Sequence, residues 1–239
     1  MNDFAKLDGI PNIILDLNEN HLKMAKPLSS EAQRLKEIID FDKRIYFIVL
    51  VFLFLIIRYL TNTLILESIP DYDALESRGD FMIFHIFNAL NYIWTPFALL
   101  WKFTVISFLF WVGAFIIGFK VPYKELWKFA LVAEVIFIFP ELIRLLAFLD
   151  PSSTVTYQEI DEYRALSMLS LLGPENVADK FHYALGTINV FEIFYGILWL
   201  YGFHMISNRS LGESSIVVIL SYYFPLAIWL TFYVLVYKG

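Results

Sequence analysis

Cysteine is absent from this chain, which excludes disulfide bonds, thiolate nucleophiles and cysteine-based metal sites. The four histidines, His21, His85, His182 and His204, lie on separate segments without the spacing of metal ligands. We therefore predict no metal and no cofactor. Phosphate-binding glycine loops, nucleophile elbows and zinc-protease motifs are also missing from the sequence, so we expect neither catalytic residues nor enzymatic activity.

Basic residues are too few and too scattered for a nucleic-acid surface. The net charge is −6, and no basic stripe with interleaved aromatic residues occurs. Nucleic acid is therefore not an expected partner.

Apolar side chains, in contrast, are present in excess. They make up 59% of the 239 residues and fall in a few long runs, whereas about half is usual in globular proteins. This pattern predicts an all-α, polytopic bundle of transmembrane helices in contact with a lipid bilayer. The opening residues lack a basic segment followed by an apolar run, so we expect the first span to be retained.

The lengths of the apolar runs predict five spans, at about residues 45–66, 96–119, 123–149, 184–206 and 214–237. Because proline interrupts a helix, Pro96 is predicted to separate the second span from an interfacial or re-entrant helix at residues 81–95. One unbroken, strongly tilted helix over residues 81–119 is the alternative. We predict two domains, an N-terminal segment at residues 1–42 and a five-span membrane domain at residues 43–239.

Basic residues predict the orientation in the membrane. Lys43 and Arg44 precede the first span, and Lys120, Lys124 and Lys128 lie between spans two and three. The positive-inside rule places both groups in the cytoplasm. The N-terminus is then cytoplasmic, the C-terminus is external, and the acidic connection at residues 150–183 is an external loop.

Two amphipathic helices are predicted outside the spans. One lies in residues 1–42, as a solvated lead-in helix or against the membrane and bundle, and the other covers residues 156–172 of the external loop. Their apolar residues are candidates for contact with partner proteins or the membrane surface. These residues are Leu35, Ile38, Ile39, Ile160, Tyr163, Leu166 and Leu169.

Six ionisable residues fall inside the predicted spans: Arg58, Lys102, Glu134, Glu141, Arg144 and Glu192. At about 1.5 Å per residue, four of them share a layer about 9–12 Å from the outer ends of their spans, with Arg144 above it and Glu134 nearer the bilayer centre. Such charges either pair or mark an ion pathway or polar binding site. If the charges serve structural pairing, Lys102 is expected to pair with Glu141, and Arg58 or Arg144 with Glu192.

The order of these elements resembles a known family. A basic turn precedes KELWKFALVAEVIFIFPELI, Pro140 falls late in span three, and LGTINVFEIFYGILWLYGFHMISNRSLGESSIVVILSYYF forms a closing hairpin. Over residues 81–237 this resembles the Yip family of five-span proteins, named for interaction with Ypt and Rab GTPases, and more closely its bacterial relatives. The resemblance implies an all-helical bundle with a cytoplasmic N-terminus and, through the bacterial relatives, an inner-membrane location.

The eukaryotic pattern is incomplete in this chain. The Asp-Leu-Tyr-Gly-Pro segment of the family's cytoplasmic arm is absent and the external loop is longer, so GTPase binding is not carried over. Our first hypothesis is a non-enzymatic accessory or assembly subunit that binds other integral membrane proteins. The second is a small ion- or proton-coupled transporter or channel that uses the charged layer. The third is a lipid-handling protein.

Overall fold

A computed structural model describes residue 37 and residues 40–67, 69, 72–79, 81–149 and 163–237. The chain divides into two compact units, residues 1–38 and 39–239, and nearly all described residues belong to the second. The predicted N-terminal amphipathic helix, with Leu35, Ile38 and Ile39, lies outside the described residues, as does Ile160.

The described part of the chain is all-α and contains no β-strand. The helices are α1 (Lys43–Glu67), α2 (Tyr72–Ser77), α3 (Met82–Ile116), α4 (Tyr123–Ala133), α5 (Ile138–Ala147), α6 (Met168–Leu172), α7 (His182–Thr187), α8 (Val190–Ser207), α9 (Leu211–Val218) and α10 (Phe224–Val236). A four-residue 3-10 turn, Glu134–Phe137, joins α4 to α5, and a π-helical segment, Ile219–Tyr223, joins α9 to α10.

Four helical stretches in the described ranges are long and apolar enough to cross a membrane. They are Lys43–Leu64, His85–Ile116, Val190–Ser207 and Leu211–Val236. Their outward faces carry large apolar side chains such as Trp101 and Phe115, which are 71% and 72% exposed and are suited to contact with lipid. The all-α prediction is confirmed. Residues 123–147 are helical but irregular at the 3-10 turn, and the fifth span stays a prediction.

The predicted break at Pro96 is wrong, because α3 runs unbroken for 35 residues with Pro96 inside it. A transmembrane helix tolerates proline when its surroundings satisfy the freed backbone groups. Pro96 removes the N–H donor of the Tyr92 carbonyl, and the hydroxyl of Thr95 donates to the preceding carbonyl, that of Asn91, at 2.8 Å. The unbroken helix, which was the alternative, is the one observed.

The connection at residues 150–183, which was predicted to be an external loop, also differs from its prediction where it is described. Of residues 163–172, only α6 is helical, and Leu166 has a φ of +53°. The backbone of this segment instead pairs with the residues around the start of α8. The Met168 N–H donates to the backbone carbonyl of Ile188 at 2.9 Å, and the Val190 N–H donates to the backbone carbonyl of Leu166 at 3.2 Å. Leu169 is only 3% exposed inside the fold, whereas Leu166 is 57% exposed.

The helix of the predicted fourth span begins later than expected. Helix α7 ends at Thr187, and α8 starts at Val190 rather than at residue 184. The side chain of Asn189 caps α8 by accepting from the Glu192 N–H at 2.9 Å. A polar N-cap of this kind satisfies one of the free donors of the first turn.

The core lies where α3, α4 and α8 meet. Trp199 of α8 is fully buried, stacks on Phe110 at 3.8 Å between ring centroids and meets Phe129 edge-on at 5.1 Å. A Cβ at Gly202 would collide with the Phe129 ring. Glycine at this position therefore allows α4 and α8 to approach closely.

Candidate functional site

Five polar side chains from four elements meet inside the bundle. Lys102 comes from α3, Glu134 from the 3-10 turn, Glu192 and Tyr195 from α8, and Tyr222 from the π-helical segment. We call this group the central polar cluster. Residues from separate parts of the chain thus surround one interior position.

A proline follows each of the two irregular segments of this site, three residues after the 3-10 turn and two residues after the π-helical segment. Pro140 follows the 3-10 turn and removes the N–H that would bind the carbonyl of Ile136. Pro225 follows the π-helical segment and in the same way leaves the carbonyl of Ser221 without its α-helical donor. Irregular turns inside long helices often occur at functional sites. Here they carry Glu134 and Tyr222.

Lys102 and Glu134 form an ion pair. The Lys102 Nζ lies 2.5 Å from Oε1 of Glu134, whose side chain is 2% exposed, while the lysine side chain is 43% exposed. The ammonium also lies 4.2 Å from the centroid of the Phe137 ring, so a cation–π contact adds to its stabilisation. One carboxylate is therefore held in the interior by a cation that reaches the outer surface of the bundle.

The second carboxylate of the central polar cluster is bound by tyrosine. The Tyr222 hydroxyl donates to Oε2 of Glu192, and the Tyr223 hydroxyl donates to the Glu192 backbone carbonyl at 3.2 Å. The ring of Tyr195 lies 4.9 Å from those of Tyr222 and Phe137. Aromatic rings thus connect the two carboxylates.

A carboxylate oxygen without a partner lies at the centre of the site. Oε2 of Glu134 is buried, and within the described ranges it has no hydrogen-bond partner. The hydroxyl of Tyr195 is also buried and lies beside the indole N–H of Trp199, one turn further along α8. Buried polar atoms normally find a partner, because an unsatisfied one costs about 1–3 kcal/mol. The arrangement can therefore accept a proton, a water molecule or a small cation.

The predicted pairings of the charged layer are wrong. Lys102 pairs with Glu134 rather than with Glu141. Glu141 instead pairs with Arg144 on the next turn of α5, at 2.9 Å, with its side chain 41% exposed. Glu192 is bound by tyrosine and not by Arg58 or Arg144.

Arg58 lies outside the central polar cluster. Its guanidinium donates to the Thr95 hydroxyl of α3 at 3.4 Å, which links α1 to α3. Of the six predicted residues, the structure brings together Lys102, Glu134 and Glu192 and leaves the other three apart. The central polar cluster also includes a residue from the last long helical stretch, which the sequence analysis did not connect with these charges.

Tyr195 and Tyr222 were missed by the sequence analysis. Neither is ionised under ordinary conditions, so neither stands out in a search for charge at membrane depth. One sequence feature could have identified Tyr222. Pro225 lies inside an apolar run, and a proline there predicts a disturbed turn that includes Tyr222. A polar residue in such a turn is a candidate site residue.

Comparison of the chain with protein-family models, with characterised proteins and with solved structures finds no match. The resemblance to the Yip family therefore stays a prediction. The functional argument rests on the geometry of the central polar cluster.

Proposed function

We propose that this protein is a small membrane transporter or channel that moves protons through the central polar cluster. The observation that supports this most directly is the buried Oε2 of Glu134, which has no hydrogen-bond partner in the described ranges. A carboxylate kept only for helix packing is better stabilised when both of its oxygens are bound. A free oxygen beside Lys102 suits a group that gains and loses a proton.

The arrangement supplies a donor and an acceptor for the proton. Lys102 is bonded to Glu134, and 43% of its side chain is exposed at the surface of the bundle. Proton transfer from the Lys102 ammonium to the Glu134 carboxylate replaces an ion pair by two neutral groups, and in a medium of low dielectric these two states approach each other in energy. Glu192 and the hydroxyls of Tyr195 and Tyr222 continue the polar path towards α9 and α10.

Proton flux into proteoliposomes tests the proposal. Vesicles loaded with potassium and treated with valinomycin develop an inward driving force for protons, which an internal pH-sensitive dye reports. We expect flux with the native protein and only the rate of empty vesicles with Glu134→Gln, because an amide cannot take up a proton under these conditions. Glu192→Gln tests the second carboxylate in the same assay.

Glu141→Gln is the matched control, because it removes the same charge from the outer surface of α5 without touching the central polar cluster. It is expected to retain the native flux. Native protein that conducts no better than empty vesicles, or Glu134→Gln that conducts as well as native protein, contradicts the proposal.

A second candidate function is that of an accessory subunit which binds another integral membrane protein. At 35 residues, α3 is about 52 Å long, some 20 Å more than the apolar thickness of a bilayer. Its N-terminal part exposes large apolar side chains, among them Met82, Ile83 and Ile86, at 67%, 68% and 50%. Apolar surface beyond the bilayer favours a protein partner that covers it.

Purification in mild detergent from the native membrane, followed by mass spectrometry, tests this candidate. Ile83→Arg and Ile86→Arg are expected to release a stoichiometric partner. Phe115→Arg, an equally exposed position at the other end of α3, is expected to retain it. Equal retention by all variants opposes this function.

We further propose a bacterial inner-membrane location with a cytoplasmic N-terminus. Support comes from Lys43 and Lys124, which lie at the first turns of α1 and α4 and line one cavity. The basic residues of two segments thus gather at one end, as the positive-inside rule expects for the cytoplasmic side. Because the chain has no cysteine, Lys120→Cys provides a single site for a membrane-impermeant maleimide. Labelling from outside intact cells contradicts this orientation.

A further inference from the structure

A basic cavity lies at the end of the bundle where α1 and α4 begin. It has a volume of about 500 Å³ and is open on one side. Its basic residues are Lys43, Arg44 and Lys124, and its other walls are Phe47, Ile48, Tyr123 and Trp127. Three cations and an apolar wall therefore share one cavity, and none of its lining residues belongs to the central polar cluster.

The three cations are available for an external anion. Across the described ranges, the side chains of Lys43, Arg44 and Lys124 form no ion pair with a carboxylate. Lys43 lies 5.7 Å from the centroid of the Trp127 ring, which holds its ammonium at the cavity wall. Three like charges kept close together repel each other, and an anion between them relieves that repulsion.

The carboxylates near this group form no ion pair with its three cations. Asp40 pairs with Lys128 at 3.5 Å, and Lys128 also lies 5.4 Å from the Phe41 ring. Asp42 accepts from the backbone N–H of Arg44 at 2.8 Å and so caps the start of α1. Glu125, which follows Lys124 in the first turn of α4, is in no ion pair within the described ranges.

The geometry points to a binding site for the phosphate of an anionic phospholipid. Lysine and arginine are the usual phosphate ligands, with arginine able to offer two parallel N–H groups. Tyr123 and Trp127 are typical of the membrane–water interface, where a lipid headgroup lies. Basic pockets between transmembrane helices at the cytoplasmic side bind such headgroups. This inference rests on the proposed cytoplasmic orientation of this end and not on the proposed transport function.

The apolar wall favours a lipid over a soluble phosphate compound. Phe47 and Ile48 line the cavity on the side of α1, and α1 continues from there as a membrane-spanning helix. Ile48 is 52% exposed, so the cavity borders the surface that acyl chains contact. When the cations hold the phosphate of a phospholipid, its glycerol and acyl chains lie along these apolar side chains. A free phosphate would leave the same side chains uncovered.

The experiment uses the full chain in nanodiscs of phosphatidylcholine that contain a small fraction of phosphatidylglycerol. Native mass spectrometry after release from the disc counts the lipids that remain bound. We expect native protein to retain phosphatidylglycerol preferentially. Lys124→Gln is expected to bind it about ten-fold more weakly, since one charge-assisted contact to phosphate is lost. Lys124→Arg restores binding because the contact is kept.

Lys120→Gln is the matched control, because it removes the same charge from an exposed position at the same end of the bundle outside the cavity. It is expected to bind like native protein. Equal weakening by Lys120→Gln and Lys124→Gln indicates attraction by net charge alone and overturns the site. Displacement of the lipid by glycerol 1-phosphate or inorganic phosphate at equal concentration assigns the cavity to a soluble phosphate compound and overturns the lipid assignment.

Discussion

Replacing Lys102 by methionine leaves the Glu134 carboxylate in the interior without its cation. The two side chains are similar in length, so the change removes the charge and little volume. Breaking a fully buried ion pair costs about 3–5 kcal/mol. Because the Lys102 side chain is 43% exposed, we expect a smaller loss of about 2–3 kcal/mol.

This loss is large enough to measure by thermal unfolding in detergent. A chain of about this size loses about 2–4 °C in Tm per kcal/mol, so Lys102→Met is expected to lower Tm by about 4–12 °C. Lys120→Met, at an exposed position, is expected to lower it by less than about 2 °C, as is usual for surface changes.

The double variant Lys102→Met/Glu134→Leu isolates the interaction. Replacing both members of a buried ion pair by apolar residues is often neutral or stabilising, so its Tm is expected to return towards the native value. If the double variant loses as much as the two single variants together, the residues are not coupled and the reasoning is refuted. The same double variant retains the fold but lacks the proton-binding carboxylate, so native flux through it contradicts the transport proposal.

Two further predictions use the same Tm measurement. Gly202→Ala is expected to lose about 1–3 kcal/mol because its Cβ meets a buried ring, whereas Gly212→Ala, with nothing within 4 Å, gains up to about 1 kcal/mol in helix propensity. Equal effects contradict the close packing. Tyr222→Phe removes a bond to the Glu192 carboxylate and Tyr223→Phe a bond to its carbonyl, so we expect losses of about 1.5–3 and about 1 kcal/mol respectively. A larger loss with Tyr223→Phe contradicts this order.

The long helices could be predicted from the sequence because apolar runs of this length are hard to place anywhere but in a bilayer. Two of the wrong predictions, the break at a proline and the helix in the loop, came from local sequence rules that take no account of contacts with the rest of the fold. Pro96 was expected to break the helix because it removes one backbone donor, yet a membrane-spanning helix continues through a single missing hydrogen bond when its neighbours pack against it, and α3 does so. Residues 163–167 have helical spacing, but their backbone pairs with the residues before α8. That pairing depends on tertiary structure.

The error in pairing Lys102 with Glu141 has a geometric cause. The predicted pairing assumed a regular α-helix for the depth of each charged residue and for the direction of its side chain. In such a helix, residues seven apart point to nearly the same side. The 3-10 turn Glu134–Phe137 advances about 120° per residue instead of about 100°, so four residues add about 80° of rotation. Seven residues of regular helix leave the two side chains about 20° apart in the opposite sense, so Glu141 lies about 60° around the helix from Glu134. It pairs with Arg144.

The π-helical segment has a related effect on the other side of the central polar cluster. A π turn is wider than an α turn, and here it lets two consecutive tyrosines reach one residue. Tyr222 binds the side chain of Glu192 and Tyr223 binds its backbone. Pro140 and Pro225 each follow an irregular segment within three residues, and each segment places a polar group at the same interior position. In a long apolar helix, the two turns before a proline are therefore where a search for site residues should begin.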